Sequence, residues 1–381
     1  MFYQKRALFV CYSAAHFNFA ILDFRFAIDF LLFNFNRKSR FYLYMNQLRK
    51  ILIFALCLIF TQTINAEWTK LNSKTLAWLQ DVYFINEKKG WITGSDGTFL
   101  ETADGGKNWR QADKFTSDTI RQVYFSDEQT GWLLCERSLY NRGSNFPSYV
   151  LQTSDGGANW DKLEFAKEGR ERIAKIIFDK KGSALAFGEG GAFFTLENDK
   201  KTWGKTPVFI KYLLLDGMFT DESNGAIVGA GGSILFTEDG GASWNKANIF
   251  GDKSAKLHSV FFINRRTGWT VGANGKIFQT LSGGKTWREQ KSGTTKNLND
   301  IFFSDTAEGW AIGDDGALLH TTTAGNIWSY VNSGTKHKLE KITFVGNKGW
   351  AIGFGGTILF YDENAKAEKT AAMPLLKKWN R

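Results

Sequence analysis

A chain of 381 residues with 34 Phe and 14 Trp has ample apolar material for a core, while 39 Gly against 3 Pro asks for many tight turns rather than long helices. The formal net charge of +10 invites a nucleic-acid reading, but residues 1–66 hold eight Lys/Arg against two Asp/Glu. The remainder carries 40 basic and 36 acidic residues, so that reading loses its support and no nucleic-acid partner is expected.

The first 44 residues carry ten of the Phe residues and no turn chemistry, and read as an upstream extension from a misassigned translation start. From Met45 a short basic segment, Arg49-Lys50, precedes an apolar run from Ile51 to Phe60 and ends on the small residue Ala66. That is the tripartite pattern of a secretory signal peptide over 45–66, and ten apolar residues are too few for the roughly 20 that span a bilayer. Export across an inner membrane, to a periplasmic, extracellular or lumenal space, is the expectation. Cys57 follows Leu56 rather than the small residue a lipid-attachment site needs, and with Cys11 it falls in the leader. Cys135 is then alone, so neither an intrachain disulfide nor a cysteine-based metal site is expected.

Beyond Ala66 the chain repeats. Trp109, Trp160, Trp203, Trp244, Trp287 and Trp328 are spaced 51, 43, 41, 43 and 41 residues apart, a period typical of propeller blades. Gly94, Gly188, Gly229, Gly272 and Gly313 each stand 15 residues before their Trp, and Gly97, Gly191, Gly232, Gly275 and Gly316 each stand 12 before. Each Trp also ends a short turn. Thr102 to Trp109, with Asp104, recurs around Asp155 and Trp160 and around Asp239 and Trp244. Ser282 and Thr323 replace the Asp before Trp287 and Trp328.

This turn resembles the Asp-box of bacterial neuraminidase repeats. The Asp side chain can cap the N–H groups of its own turn, and the following Gly supplies positive φ. Asp104, Asp155, Asp239 and the five tryptophans Trp109, Trp160, Trp244, Trp287 and Trp328 are therefore read as structural. The rival reading of the aspartates as catalytic carboxylates would scatter one site over different blades.

One unit maps onto four strands, roughly 79–86, 91–95, 98–103 and 109–112, and such meanders bury both faces only by closing into a ring. Six units are complete. A seventh begins at Leu339 and stops after Tyr361 without its Asp-box and last strand, and Glu67 to Leu71 can supply that strand and remove an open edge. The expected architecture is all-β: a seven-bladed β-propeller over 67–361, closed by its N-terminal strand, with a polar tail over 362–381.

Two other motifs carry no chemistry. Ser282-Gly283-Gly284-Lys285-Thr286 lacks the upstream Gly of a phosphate-binding loop, where Gln279 stands. His258, His320 and His337 fall in three different units, and no cofactor or metal is expected.

The combination Gly90-Trp91 through Gly94 and Gly97, then Asp104-Gly105-Gly106 to Trp109, resembles the photosystem II stability/assembly factor family; 268–287 and 309–328 match the same pattern. The resemblance implies a propeller that binds membrane-protein precursors during assembly, here expected as a monomer. The alternatives are a sialidase-like glycoside hydrolase and a carbohydrate-binding or adhesin propeller. A sialidase needs an arginine triad and a Tyr/Glu pair, and none of the three prolines stands in the Arg-Ile-Pro setting that supplies its first Arg.

The second unit departs from the repeat by ten extra residues between strands two and three, on the face opposite the Asp-boxes. This insertion, 136–149, holds Arg137, Tyr140, Arg142, Phe146 and Tyr149, and a nearby blade link adds Arg170 and Arg172. Arginine and aromatics together are enriched at interaction surfaces. These seven are the candidate partner-binding residues, with Arg137 and Arg142 as charge anchors for an acidic or extended client segment.

Overall fold

The computed structural model describes residues 68–138, 146–165, 171–179, 182–199, 201–206 and 211–363. The leader expected over 1–66 and nearly all of the tail lie outside these residues. The first blade comprises Leu79–Phe84, Gly90–Gly94, Phe99–Thr102 and Arg110–Gln111, hydrogen-bonded in that order. The meander recurs at 119–164, 173–205, 214–246, 257–290 and 298–330. The seventh sheet takes Leu339–Val345, Lys348–Gly353 and Thr357–Asp362, and its outermost strand is Thr69–Leu71. Thr69 pairs with Phe360 and Leu71 with Ile358, so the beginning of the propeller closes its end. The expected seven-bladed ring is the observed one. Asp362, placed in the tail by the sequence, is the last residue of a strand.

The core lies between blades rather than within them. One cluster joins Trp91 and Phe99 of blade 1 to Ile120, Val123, Phe125 and Leu133 of blade 2; another joins Trp269 and Val271 of blade 5 to Leu298, Ile301 and Phe303 of blade 6. Every second strand except those of blades 2 and 7 is buried along its whole length, as a strand packed on both faces must be.

The glycine register follows from two close approaches. Gly90, Gly131, Gly268 and Gly309 open their second strands beneath a Phe of the first strand, and an added Cβ would lie 2.4 to 2.6 Å from that ring. Gly275 and Gly316 have φ of 69° and 70°, and a Cβ there would lie 2.0 Å from the carbonyl oxygens of Thr294 and Thr335 in the next blade link. The residue before them also takes the left-handed conformation, which explains Asp96, Asn274 and Asp315 at that place.

The Asp-boxes are self-contained. Asp155 Oδ1 accepts the backbone N–H of Asn159 at 2.9 Å, while Thr153 Oγ1 accepts from Gly157 and donates to Asp155. Asp104 and Asp239 repeat this arrangement. The Ser282 and Thr323 hydroxyls stand in for it, each accepting the equivalent N–H at 3.0 Å.

Among the described residues, blade 5 alone gains a fifth strand. Asn248–Phe250, in the link from blade 4, pairs in parallel with Thr286–Gln290.

Candidate functional site

Strands alternate in direction, so the Asp-boxes and the turns between strands one and two share one face. The turns between strands two and three and the blade links share the other. At the centre of that second face all seven first strands carry a β-bulge at one position, the residue after Leu79, Ile120, Ile173, Leu214, Leu257, Leu298 and Leu339. A bulge turns two successive side chains toward one side. Here it lines a narrow polar channel of about 120 Å³ with two tiers.

The deeper tier is Asp81, Gln122, Lys175, Asp216, Ser259, Asp300 and Lys341, and it links successive blades from the first to the seventh. Asp81 Oδ2 accepts the N–H of Val123 at 3.0 Å, Gln122 Oε1 that of Ile176 at 2.9 Å, Asp216 Oδ2 that of Val260 at 3.0 Å, and Asp300 Oδ2 that of Ile342 at 2.8 Å. Lys175 pairs with Asp216 at 3.0 Å and Lys341 with Asp300 at 3.1 Å. Burial raises the carboxyl of Asp81, which has no ion pair among the described residues. Burial pushes Asp216 the same way, but Lys175 and Lys341 outweigh it and hold Asp216 below its ordinary value. Burial would lower Lys341, yet Asp300, Asp216 and Asp81 together raise it.

The upper tier, at the mouth, is Gln80, Arg121, Ala174, Leu215, His258, Asn299 and Glu340. His258 Nδ1 lies 2.8 Å from the Leu298 carbonyl oxygen, and burial holds its imidazole below the usual value. Beside blades 2 and 3 the mouth carries charge. Glu136 accepts from Arg121 and, at 3.4 Å, from Arg172, while Arg172 Nε reaches Glu189 at 3.1 Å. Two guanidiniums thus converge on one carboxylate.

The expected partner-binding residues divide. Arg172 lies at this mouth. Arg137 does not present its charge: it is only 8% exposed, donates to the Phe146 carbonyl and to Glu164 at 2.6 Å, and lies over the Tyr149 ring at 4.5 Å. Phe146 is buried with Phe165, Phe194 and Trp203. Tyr149 is buried in the next strand, its hydroxyl bonded to Asp118 at 2.9 Å. These three fasten the foot of the insertion, correcting their assignment to a contact surface. The reason is that the strands on either side extend to Glu136 and back to Ser148, drawing the ends of the insertion into the sheet. Tyr140, Arg142 and Arg170 lie outside the described residues. Sequence reasoning missed Arg121 and Glu136; the bulge position just after the first apolar residue of each first strand was the signal that could have found Arg121.

The three histidines stay apart from one another. His320 stacks on Trp310 at 3.9 Å and bonds Glu308, and His337 bonds Thr357 at 2.8 Å. Asp104, Asp155 and Asp239 belong to three different blades, each committed to its own turn.

A closed ring of seven four-stranded blades, several joined by turns of the Asp-box type, defines a β-propeller of the Asp-box repeat class. The family model for photosynthesis system II assembly factor YCF48 matches residues 60–206, 195–289, 252–337 and 285–371, and the chain belongs to this family. The photosystem II stability/assembly factor HCF136 of Guillardia theta chloroplasts is 44% identical over 52 residues, a stretch that is 13% of this chain and 13% of that relative. Among solved structures, YCF48 from Cyanidioschyzon merolae is similar with a TM-score of 0.64 at 19% identity, over 78% of this chain and all of that one. A YCF48 bound to D1 peptide has a TM-score of 0.65 at 22% identity over 78% of this chain and 96% of that one. Virginiamycin B lyase from Staphylococcus aureus shares the architecture at 13% identity, with a TM-score of 0.63 over 78% and 99% of the two chains.

Proposed function

We infer that this chain is a non-catalytic assembly factor that holds an extended segment of a membrane-protein client across the channel mouth, and that it works as a monomer outside the cytoplasm. The observation that carries the reading is the convergence of Arg121 and Arg172 on Glu136. Each guanidinium carries five N–H donors, more than Glu136 and Glu189 take up, so donors remain for an acidic ligand. A channel of about 120 Å³ is too small for a drug-sized molecule, which favours a ligand lying over the mouth. The D1 peptide bound by a structural relative makes that peptide the natural first probe.

The test is fluorescence anisotropy of a labelled D1 peptide against the full chain. Replacing both Arg121 and Arg172 with Gln weakens binding about tenfold while the melting temperature changes little. Undiminished binding by the double variant overturns the reading.

A further inference from the structure

We propose a second element of the same face: Leu76, Trp78 and Phe354, between blades 7 and 1, form an apolar anchor for a client segment that carries an aromatic or branched side chain next to acidic residues. The inference rests on the client-binding reading above.

The repeat itself supplies the comparison. Gly356, Gly275 and Gly316 pack against the carbonyl oxygens of Thr75, Thr294 and Thr335, so these threonines are equivalent. The next residue is Leu76 in one link, but Thr295 and Lys336 in the others. The carbonyls of Trp78, Asn297 and Lys338 accept from Ser95, Asp314 and Phe354, which makes both sets equivalent in turn. Trp78 therefore stands where sister blades carry Asn297, Lys338, Lys256 and Arg172, with Leu213 the one apolar counterpart. Phe354 stands where they carry Ser95, Asp314, Ala273 and Glu189. The fold requires none of the three to be apolar. Yet Leu76 is 88% exposed, Phe354 51% and Trp78 37%, and the link that carries Leu76 and Trp78 lies against the Phe354–Gly356 turn, where the Gly356 N–H donates to the Ala77 carbonyl at 2.7 Å.

The patch is also held ready. Trp78 Nε1 donates to Glu340 at 2.8 Å, the Lys338 ammonium lies 5.2 Å over its ring, and Phe354 meets it edge-on at 5.9 Å. A fixed aromatic loses little entropy on binding. Glu340 is already engaged by Trp78 and by Lys338 at 2.8 Å, whereas the exposed Lys74 and Lys336 form no ion pair among the described residues. Their charge complements an acidic partner, and Glu340 links the patch to the channel mouth.

The experiment uses the full chain and a labelled synthetic acidic peptide with a central phenylalanine–leucine pair. Its controls are the peptide with alanines at that pair and phosphatidylglycerol vesicles. The triple variant Leu76→Thr, Trp78→Asn, Phe354→Ala installs residues that sister blades already carry. It binds the peptide about tenfold more weakly than wild type at an unchanged melting temperature, and the alanine peptide loses as much against wild type. Equal binding by the triple variant overturns the inference, as does a clear fall in its melting temperature, which would make the patch structural. Wild type partitioning onto vesicles while ignoring the peptide would assign the patch to a membrane instead. D1 peptide held by the wild type and equally by the triple variant would leave the client reading standing and remove only the anchor.

Discussion

The indole of Trp91 lies parallel to the ring of Phe125, centroids 3.9 Å apart and planes within 8°, across the boundary between blades 1 and 2. Trp269 on Phe303 and Trp350 on Phe84 repeat the contact at 3.5 and 4.1 Å. Each Phe also meets the Asp-box Trp of its own blade edge-on, as Phe125 meets Trp160 and Phe303 meets Trp328. One phenyl ring thus joins two blades and an outer turn. Trp91→Ala is expected to cost about 3 kcal/mol in chemical denaturation, the usual loss for a buried aromatic. Gly131→Ala, whose Cβ would lie 2.5 Å from Phe125, costs about 1–3 kcal/mol by overpacking. A loss below the error of the measurement for either would show that the stack is incidental.

The seven blades, the closing strand and the Asp-box roles were legible in the sequence because each rests on a repeated local cause: a left-handed glycine, a capping hydroxyl or carboxylate, a Trp at fixed spacing. The channel and its mouth were not. Asp81, Lys175 and Lys341 occupy one position of the repeat but differ in charge, so alignment on conserved types passes over them. Arg137 was misplaced for another reason: an Arg beside a loop reads as exposed until the strand pairing Glu136 with Ser148 carries it inward.

Closure by the first strand gives a second prediction. Trp68 packs against Trp310, Phe344 and Tyr361 with centroids 5.4 to 5.9 Å away. Deleting the strand Thr69–Leu71 together with Trp68 exposes the edge of Thr357–Asp362 and opens this cluster. The melting temperature should fall more than it does for Trp68→Ala alone, because the point variant keeps the backbone ladder. Equal losses would mean that the indole, rather than the pairing, closes the ring.

The Asp-boxes predict an acid response. Hydrogen bonds from Asn159 hold Asp155 down at about 2, and those from Ser243 hold Asp239 at about 2, against 3.8 for an unperturbed carboxyl. A group whose folded value is depressed adds stability that is complete above its unfolded value and disappears as the pH falls through its folded one. That window runs from about pH 4 to about pH 2. Asp155→Ser with Asp239→Ser, copying the Ser282 turn, should flatten the decline in melting temperature across it. An identical decline would place the acid sensitivity elsewhere.

The channel ring predicts a coupled pair. Lys341→Met leaves Asp300, buried, with the Ile342 N–H and the Ser259 hydroxyl but no cation. Breaking a fully buried pair costs more, but the Lys341 side chain is about a quarter exposed to the channel, so about 2 kcal/mol is expected. Adding Asp300→Asn should restore part of it, since the remaining partners can bond a neutral amide. A double variant no better than the single one would show that Lys341 acts through packing of its stem.

Glu136 should act as a restraint on the mouth. Its carboxylate is the only acidic group in reach of both Arg121 and Arg172 among the described residues, and it lowers the positive charge offered to a ligand. Glu136→Gln keeps an oxygen to accept from the guanidiniums but removes the opposing charge. Affinity for an acidic D1-derived peptide should then rise about threefold at low ionic strength, and the gain should shrink near 1 M salt, where screening falls to about 3 Å. Anisotropy titrations at the two ionic strengths read this directly. An affinity that stays unchanged at low salt, or a gain that persists at high salt, would mean that the two arginines do not meet the ligand through their charge.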